Sequence, residues 1–164
     1  MSTLSDIDRK NPGFLVRRLQ QVSISIFMDQ LSVLGCTPIQ YTILRLVGEN
    51  PGSDQVNIAR LAGLDTSTTM DVLVRLEARG LLRRAKGRHD QRTRLATLTK
   101  AGKTFLAAAR PLVRAAQERL LLPLAKRQRA AFLNAISTLI DGHEANMQSE
   151  LGKTPWRRGG AKAS

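Results

Sequence analysis

Cysteine and aromatic residues are nearly missing from this 164-residue sequence: Cys36 stands alone, beside four phenylalanines, one tyrosine and one tryptophan. A single cysteine excludes an internal disulfide framework and suits a reducing compartment, so a cytoplasmic location is expected. So few rings leave little for single-strand binding on stacked aromatic platforms. No run approaches the ~20 apolar residues of a membrane-spanning helix. The opening MSTLSDIDRK also lacks the apolar stretch of a signal peptide, so no membrane partner is expected. Gly-rich phosphate loops, Gly-x-Ser-x-Gly and recognisable carboxylate pairs are absent, which argues against an enzyme. His89, His143 and Cys36 are scattered, with no pair at i, i+3 or i, i+4, so neither a metal nor another cofactor is expected.

Negative charge is the other scarce commodity. Thirteen acidic residues face 26 lysines and arginines, a formal net charge of +13. Such an excess attracts polyanions, nucleic acid above all, although a ribosomal or architectural protein would share it. Lys153, Arg157, Arg158 and Lys162 near the C-terminus contribute only part of it.

The apolar spacing predicts a mainly helical chain. Asn11-Pro12 is a start signal for an amphipathic helix to Leu34, with Phe14, Leu15, Leu19, Val22, Ile26 and Phe27 near helical spacing. Gly35-Cys36 ends it, and Thr37-Pro38 starts a second helix from Ile39 to about Val47. A third fits 53–62, capped by Ser53 or Asp54, and a fourth 66–79, capped by Asp65 or Thr66 and ended by Gly80. Two short strands, 81–85 and 95–99, enclose a hairpin tip at 86–93. Helices at 104–121 and 126–147 follow, each with one apolar stripe; His143 lies on the second stripe and is expected at an interface. Residues 152–164 are expected to be disordered.

Helix, Gly-containing turn, helix and hairpin in this order make a winged helix-turn-helix, so the fold class is mainly α with a small β-hairpin wing. In the fourth helix, TSTTMDVLVRLEARG, the residues Thr69, Val72, Leu73 and Leu76 form an inward stripe. Ser67, Thr68, Met70, Asp71, Val74 and Arg75 are left outward, where they would meet the major groove of double-stranded DNA. The helix N-terminus also favours phosphate. Asp71 would either accept from a cytosine amino group or pair with Arg75 one turn on; the pairing is favoured. The stretch RHDQRTRLATLT puts Asp90 and Arg92 two apart on one face of a hairpin, where pairing would pre-orient the guanidinium for a groove. Arg83, Arg84, Lys86, Arg88 and Arg94 would surround that tip with positive charge. His89 is expected to face solvent.

With CTPIQYTILRLV (36–47), NIARLAGLDTSTTMDVLVRLEARGLLRR (57–84) and DQRTRLATLTKAG (90–102), the chain resembles the MarR family of winged helix-turn-helix transcriptional regulators. Asp90, Arg92, Leu98, Thr99 and Gly102 match its Asp-x-Arg wing and Leu-Thr-x-x-Gly signature, and the resemblance spans about residues 11–147. It implies a homodimer that binds a pseudo-palindromic operator, usually as a repressor released by a small, often aromatic, anionic ligand. Asp71 departs from the basic or polar residue common at its position. On this reading 1–10 is a flexible arm and 11–147 one domain. Within it, 11–35 and 103–147 are dimerisation helices and 37–100 the winged lobe; 152–164 is a basic tail. Geometry also favours a dimer, since two symmetric motifs double the contact made by one.

The resemblance places the ligand pocket between the dimer helices and the lobe. One of Arg17 and Arg18 would take a carboxylate there bidentately, with Gln40 and Tyr41 supplying an amide and a ring; a core tyrosine is the plain alternative. An anion bound at that hinge would favour a spacing of the recognition helices that no longer matches successive major grooves. Two rivals stand beside this reading. One is a redox sensor using Cys36, which has no cationic neighbour in sequence. The other is a sequence-tolerant architectural nucleic-acid-binding protein held by charge alone.

Overall fold

A computed structural model gives the fold of residues 4–87 and 93–151, with side chains described except at 144–151. The chain divides into two compact units between Leu120 and Leu121. The first unit begins with a single helical turn, α1 (Asp6–Arg9), closed by a capping box between Ser5 and Asp8. This turn lies in the segment expected to be a flexible arm. Helix α2 (Pro12–Leu31) follows, started by Asn11, whose Oδ1 accepts from the Phe14 N–H at 3.0 Å. The expected run to Leu34 tightens at its end into a 3-10 turn over Ser32–Leu34. Helix α3 (Pro38–Glu49) is slightly longer than its apolar spacing indicated, because Thr37 and Gln40 form a capping box that sets its start at Pro38.

Strand β1 (Ser53–Asp54), helix α4 (Gln55–Ala62) and helix α5 (Thr66–Ala78) come next. Strands β2 (Leu82–Lys86) and β3 (Arg94–Leu98) form the hairpin, each one residue from its expected limits. The sheet has three strands rather than two, in the antiparallel order β1-β3-β2. Ser53 lies opposite Ala96 and Asp54 opposite Leu95, and the Gly52 N–H donates to the Ala96 carbonyl at 2.9 Å. A two-residue strand shows no alternation to read. Asp54 ends it and caps α4, accepting from the Asn57 N–H at 2.8 Å.

The main core gathers Ile43, Leu44 and Val47 of α3, Ile58 of α4, and Val72, Leu73 and Leu76 of α5 against Leu81, Leu82 and Ala96. Gly80 ends the α5 segment with φ at +70°, a conformation that favours glycine. Helix α6 (Lys100–Leu121) starts on Thr99. The Thr99 hydroxyl donates to the Gly80 carbonyl at 2.6 Å and accepts from the Gly102 N–H at 3.0 Å. A Cβ on Gly102 would lie 1.9 Å from the Leu81 carbonyl oxygen, so only glycine lets α6 begin against the sheet. The Leu-Thr-x-x-Gly run is therefore a joint, in which Thr99 and Gly102 lock the wing's return strand to α6.

A second cluster joins Leu31 to Ala109 and Val113, with Phe27, Leu34, Tyr41, Phe105 and Leu112 packed on it. The expected α6 stripe faces inward here. Much of α2 is different: Val16, Val22, Ile24 and Met28 are exposed. The second unit consists mainly of α7 (Lys126–Leu151), started by an Ala125–Gln128 bond and by Arg129 Nε donating to the Leu124 carbonyl at 3.1 Å. Phe132 and Ile136 are half-buried, whereas Leu133, Leu139, Ile140 and His143 are exposed. Among the described residues no single helix is long and apolar enough to cross a membrane.

Candidate nucleic-acid interface

Helix α5 divides along its length as its period requires. Thr69, Val72, Leu73 and Leu76 are buried, while Ser67, Asp71, Val74 and Arg75 are exposed and Thr68 and Met70 half-buried. Thr69, the one polar member of the inward stripe, bonds the Asp65 carbonyl at 2.9 Å. The N-terminus already carries an anion. Asp65 accepts from the Thr68 N–H at 2.8 Å and from the Thr68 hydroxyl at 2.6 Å. These bonds from Thr68 hold the Asp65 carboxyl below its ordinary range. Two expectations change. The Thr68 hydroxyl proton is engaged, so its oxygen is left as an acceptor, and a phosphate at this helix end would meet a carboxylate.

The favoured Asp71–Arg75 pair does not form: no hydrogen bond or ion pair joins them among the described residues. Both side chains are exposed, and a surface pair one helical turn apart gains little over two hydrated ions. Arg84 also departs from expectation. Instead of adding to the positive tip it lies on the inner face of β2 beside Leu82, its side chain 8% exposed. There its Nε and Nη2 donate to Glu77 Oε2 at 2.9 and 2.7 Å, its N–H donates to Glu77 Oε1 at 2.8 Å, and its Nη1 meets Met70 Sδ at 2.9 Å. Burial raises the Glu77 carboxyl, but the bonds and charge of Arg84, helped by Arg94, outweigh it and leave the group below its ordinary range. Strand alternation was the missed signal: two residues from Leu82, Arg84 shares its face.

On the outer wing, Lys86 and Arg94 are cross-strand partners and both exposed, a like-charge pair that suits an anionic partner better than an isolated sheet. Arg83 is exposed with its Nε on Thr97 Oγ1 at 3.1 Å. Arg88, Asp90 and Arg92, with His89, lie outside the described residues. A crevice of about 450 Å³ runs between the starts of α4 and α5 and the start of β3, lined by Asp54, Gln55, Val56, Thr66, Met70, Thr93 and Arg94.

The four residues expected at a ligand pocket are not brought together. Arg17 lies over the Phe14 ring at 5.4 Å and Arg18 bonds Gln21, both exposed on α2. Tyr41 packs in the second cluster. Gln40 alone lines a cavity of about 340 Å³, shared with Ile24, Met28, Thr37, Pro38, Ile39, Val72 and Arg75. Its Oε1 is held by the Thr37 N–H at 3.2 Å, and its Nε2 has no partner among the described residues. Arg75 is the one charged lining residue, placed there by the helical spacing from Val72. Cys36 is 4% exposed. Burial pushes its thiol above the ordinary value against the opposing charge and hydrogen bond of Arg79, a cation that tertiary structure brings from 43 positions along the chain.

The MarR family model matches residues 34–93. The chain is 31% identical over 126 residues to the transcriptional regulator HosA of Escherichia coli, covering 77% of this chain and 92% of that one. Among solved structures it resembles the transcriptional repressor CouR bound to a 23-mer DNA duplex. The TM-score is 0.78 at 30% identity, over 85% of this chain and 99% of the other. It also resembles the MarR family protein Rv2887 of Mycobacterium tuberculosis in complex with salicylic acid. There the TM-score is 0.65 at 30% identity, over 79% and 96% of the two chains.

Proposed function

The chain belongs to the MarR family of transcriptional regulators, and from this membership we propose that it is a cytoplasmic, homodimeric repressor. It binds double-stranded DNA at a specific pseudo-palindromic operator and leaves it on binding a small aromatic carboxylate. The observation that carries this reading is the division of α5: its inner stripe is sealed while Ser67, Asp71 and Arg75 are exposed. Such a helix enters a major groove without disturbing its own core. In this reading Ser67 and Asp71 meet base edges, Arg75 either joins them or turns into the cavity beside α2, Thr68 accepts only, and Met70 walls the crevice in which a phosphate strand lies against Arg94. Lys86 and Arg94 hold phosphates where the strands enter the wing tip, and Arg88, Asp90 and Arg92 extend the contact into the adjacent minor groove. A second copy is supported by the exposed apolar residues of α2 in one unit and of α7 in the other.

The effector site that the geometry supports is the 340 Å³ cavity. Apolar walls from Ile24, Met28, Ile39 and Val72 suit a ring, and the Arg75 guanidinium with the Gln40 amide suits a carboxylate. Arg17, Arg18 and Tyr41 would serve a ligand only at a site other than this one. Occupancy that favours one disposition of α5 over another shifts the dimer away from the DNA-competent state.

The test is fluorescence anisotropy with a duplex that the protein itself selects from a random-sequence pool. A preference of ~10³-fold or more over random duplex at physiological salt is expected, with weakening by millimolar salicylate. Equal affinity for all duplexes would establish the architectural alternative instead. The buried, upward-shifted Cys36 thiol gives the redox reading no support.

A further inference from the structure

Arg79 follows the last turn of α5 and touches neither the outward face of that helix nor the cavity. Its Nη1 donates to the Gly35 carbonyl at 2.9 Å and its Nη2 to the Leu34 carbonyl at 3.1 Å. Its guanidinium carbon lies 5.5 Å from the centre of the Phe105 ring of α6. One exposed side chain therefore joins three segments: the end of the recognition helix, the turn that closes α2, and the first half of α6. The two carbonyls belong to the terminal turn after α2, where no further helical N–H is available to them. A planar fork reaches both at once, which an ammonium on a flexible stem does not reproduce.

The place of this contact gives it a mechanical meaning. Along α5, Val72 and Arg75 face Ile24 and Met28 of α2 across the cavity, so these parts of the two helices stand apart. One turn after Arg75 the helices are tied, through Arg79, at Leu34 and Gly35. An open gap at one end and a fixed point at the other is the geometry of a hinge, with Arg79 as its pin.

We infer that Arg79 is a positioning residue: it pins the C-terminal end of α5 to α2 and α6, so that the long helices, and not the lobe core alone, set the angle at which the recognition helix meets DNA. This rests on the operator-binding reading above. The inference concerns orientation, so its signature is a loss of discrimination between sequences and not a loss of attraction to DNA.

Full-length wild type, Arg79→Ala and Arg79→Lys are compared on the duplex selected by wild type and on a random-sequence duplex of equal length, well below each protein's Tm. Amide exchange of residues 34–37 is followed in the same samples. Both variants are expected to lose about tenfold in affinity for the selected duplex and less than about twofold for the random one. Exchange at 34–37 is expected to quicken in both. Affinities within twofold of wild type on the selected duplex would overturn the pin and leave Arg79 a stabilising contact only. Equal losses on both duplexes in Arg79→Ala, restored in Arg79→Lys, would also overturn it, since that is the pattern of a phosphate contact. Should wild type select no sequence, the operator reading fails by itself. The exchange measurement then decides alone: quickened exchange upholds the tie and unchanged exchange refutes it.

Discussion

Ile43, Leu44, Val47, Ile58 and Leu76 in the winged lobe are sealed at 0% exposure, whereas Val16, Val22, Ile24 and Met28 on α2 keep 63, 45, 47 and 44% of theirs. The residue types are alike and the fates are opposite. Helices α3, α4 and α5 and the three-stranded sheet surround a common centre, so the lobe closes on its own side chains. The exposed positions of α2 lie outside that centre, and Ile24 and Met28 face the lobe only across an open cavity. Covering a Val or Ile fully is worth about 1.5–3 kcal/mol, so a row of them left in water is a strong inducement to association. The lobe thus closes on itself, whereas the long helices keep apolar surface uncovered.

Five substitutions, one of them followed across pH, would break or sharpen this contrast. The largest effect is expected from Gly102→Ala, whose Cβ would lie 1.9 Å from the Leu81 carbonyl oxygen. The joint between wing and α6 must open, and urea unfolding should show a loss of about 4 kcal/mol or more. An unchanged midpoint would mean that α6 does not close the lobe. Leu76→Ala empties a fully buried position and should lower stability by about 3 kcal/mol in the same assay. On the open side, Val22→Asp should leave lobe unfolding within about 0.5 kcal/mol of wild type. It should nevertheless weaken self-association at least tenfold, about 1.4 kcal/mol, in light scattering after gel filtration. A dimer unaffected by that charge would place the interface elsewhere.

Smaller effects test the polar side of the lobe. Glu77 has a folded pKa below its ordinary 4.5, so its contribution is complete above that value and is lost as pH falls through the lower, folded one. The stability difference between wild type and Glu77→Gln should accordingly be larger at pH 7 than in acid; a difference independent of pH would show that the Arg84 contact does not depend on charge. Asp71→Asn should be the mildest, within about 0.5 kcal/mol in thermal unfolding, since no pair with Arg75 is lost. A clear loss would restore that pair in solution.

Much of the lobe was legible because its signals are local. Asn11-Pro12, Thr37-Pro38 and Asp65 start helices through bonds only three residues long, and the four buried positions of α5 follow from the helical period. Some errors came from local rules left unused. Arg84 shares the Leu82 face of β2 and lies nearer the core than Lys86, so counting alternate residues would have turned it toward the lobe. Others had no local signal. Strand β1 is too short to show a period and is defined by Ala96 and Leu95 opposite it. The candidate ligand residues illustrate the same limit: of Arg17, Arg18, Gln40 and Tyr41 only Gln40 lines the cavity, where it meets Arg75, named beforehand for a different surface.

The order of helices and strands, the inward face of α5 and the basic character of the wing were settled by the chain's own pattern, because caps, turns and periodicity act over a few residues. Which cations stay free and which are tied was settled only by folding. Glu77 takes Arg84 out of the outer wing, and the carbonyls of Leu34 and Gly35 take Arg79 from 45 and 44 positions away. Charge is written in composition, but the partner of a charge is decided by which segments the core brings within about 3 Å of it.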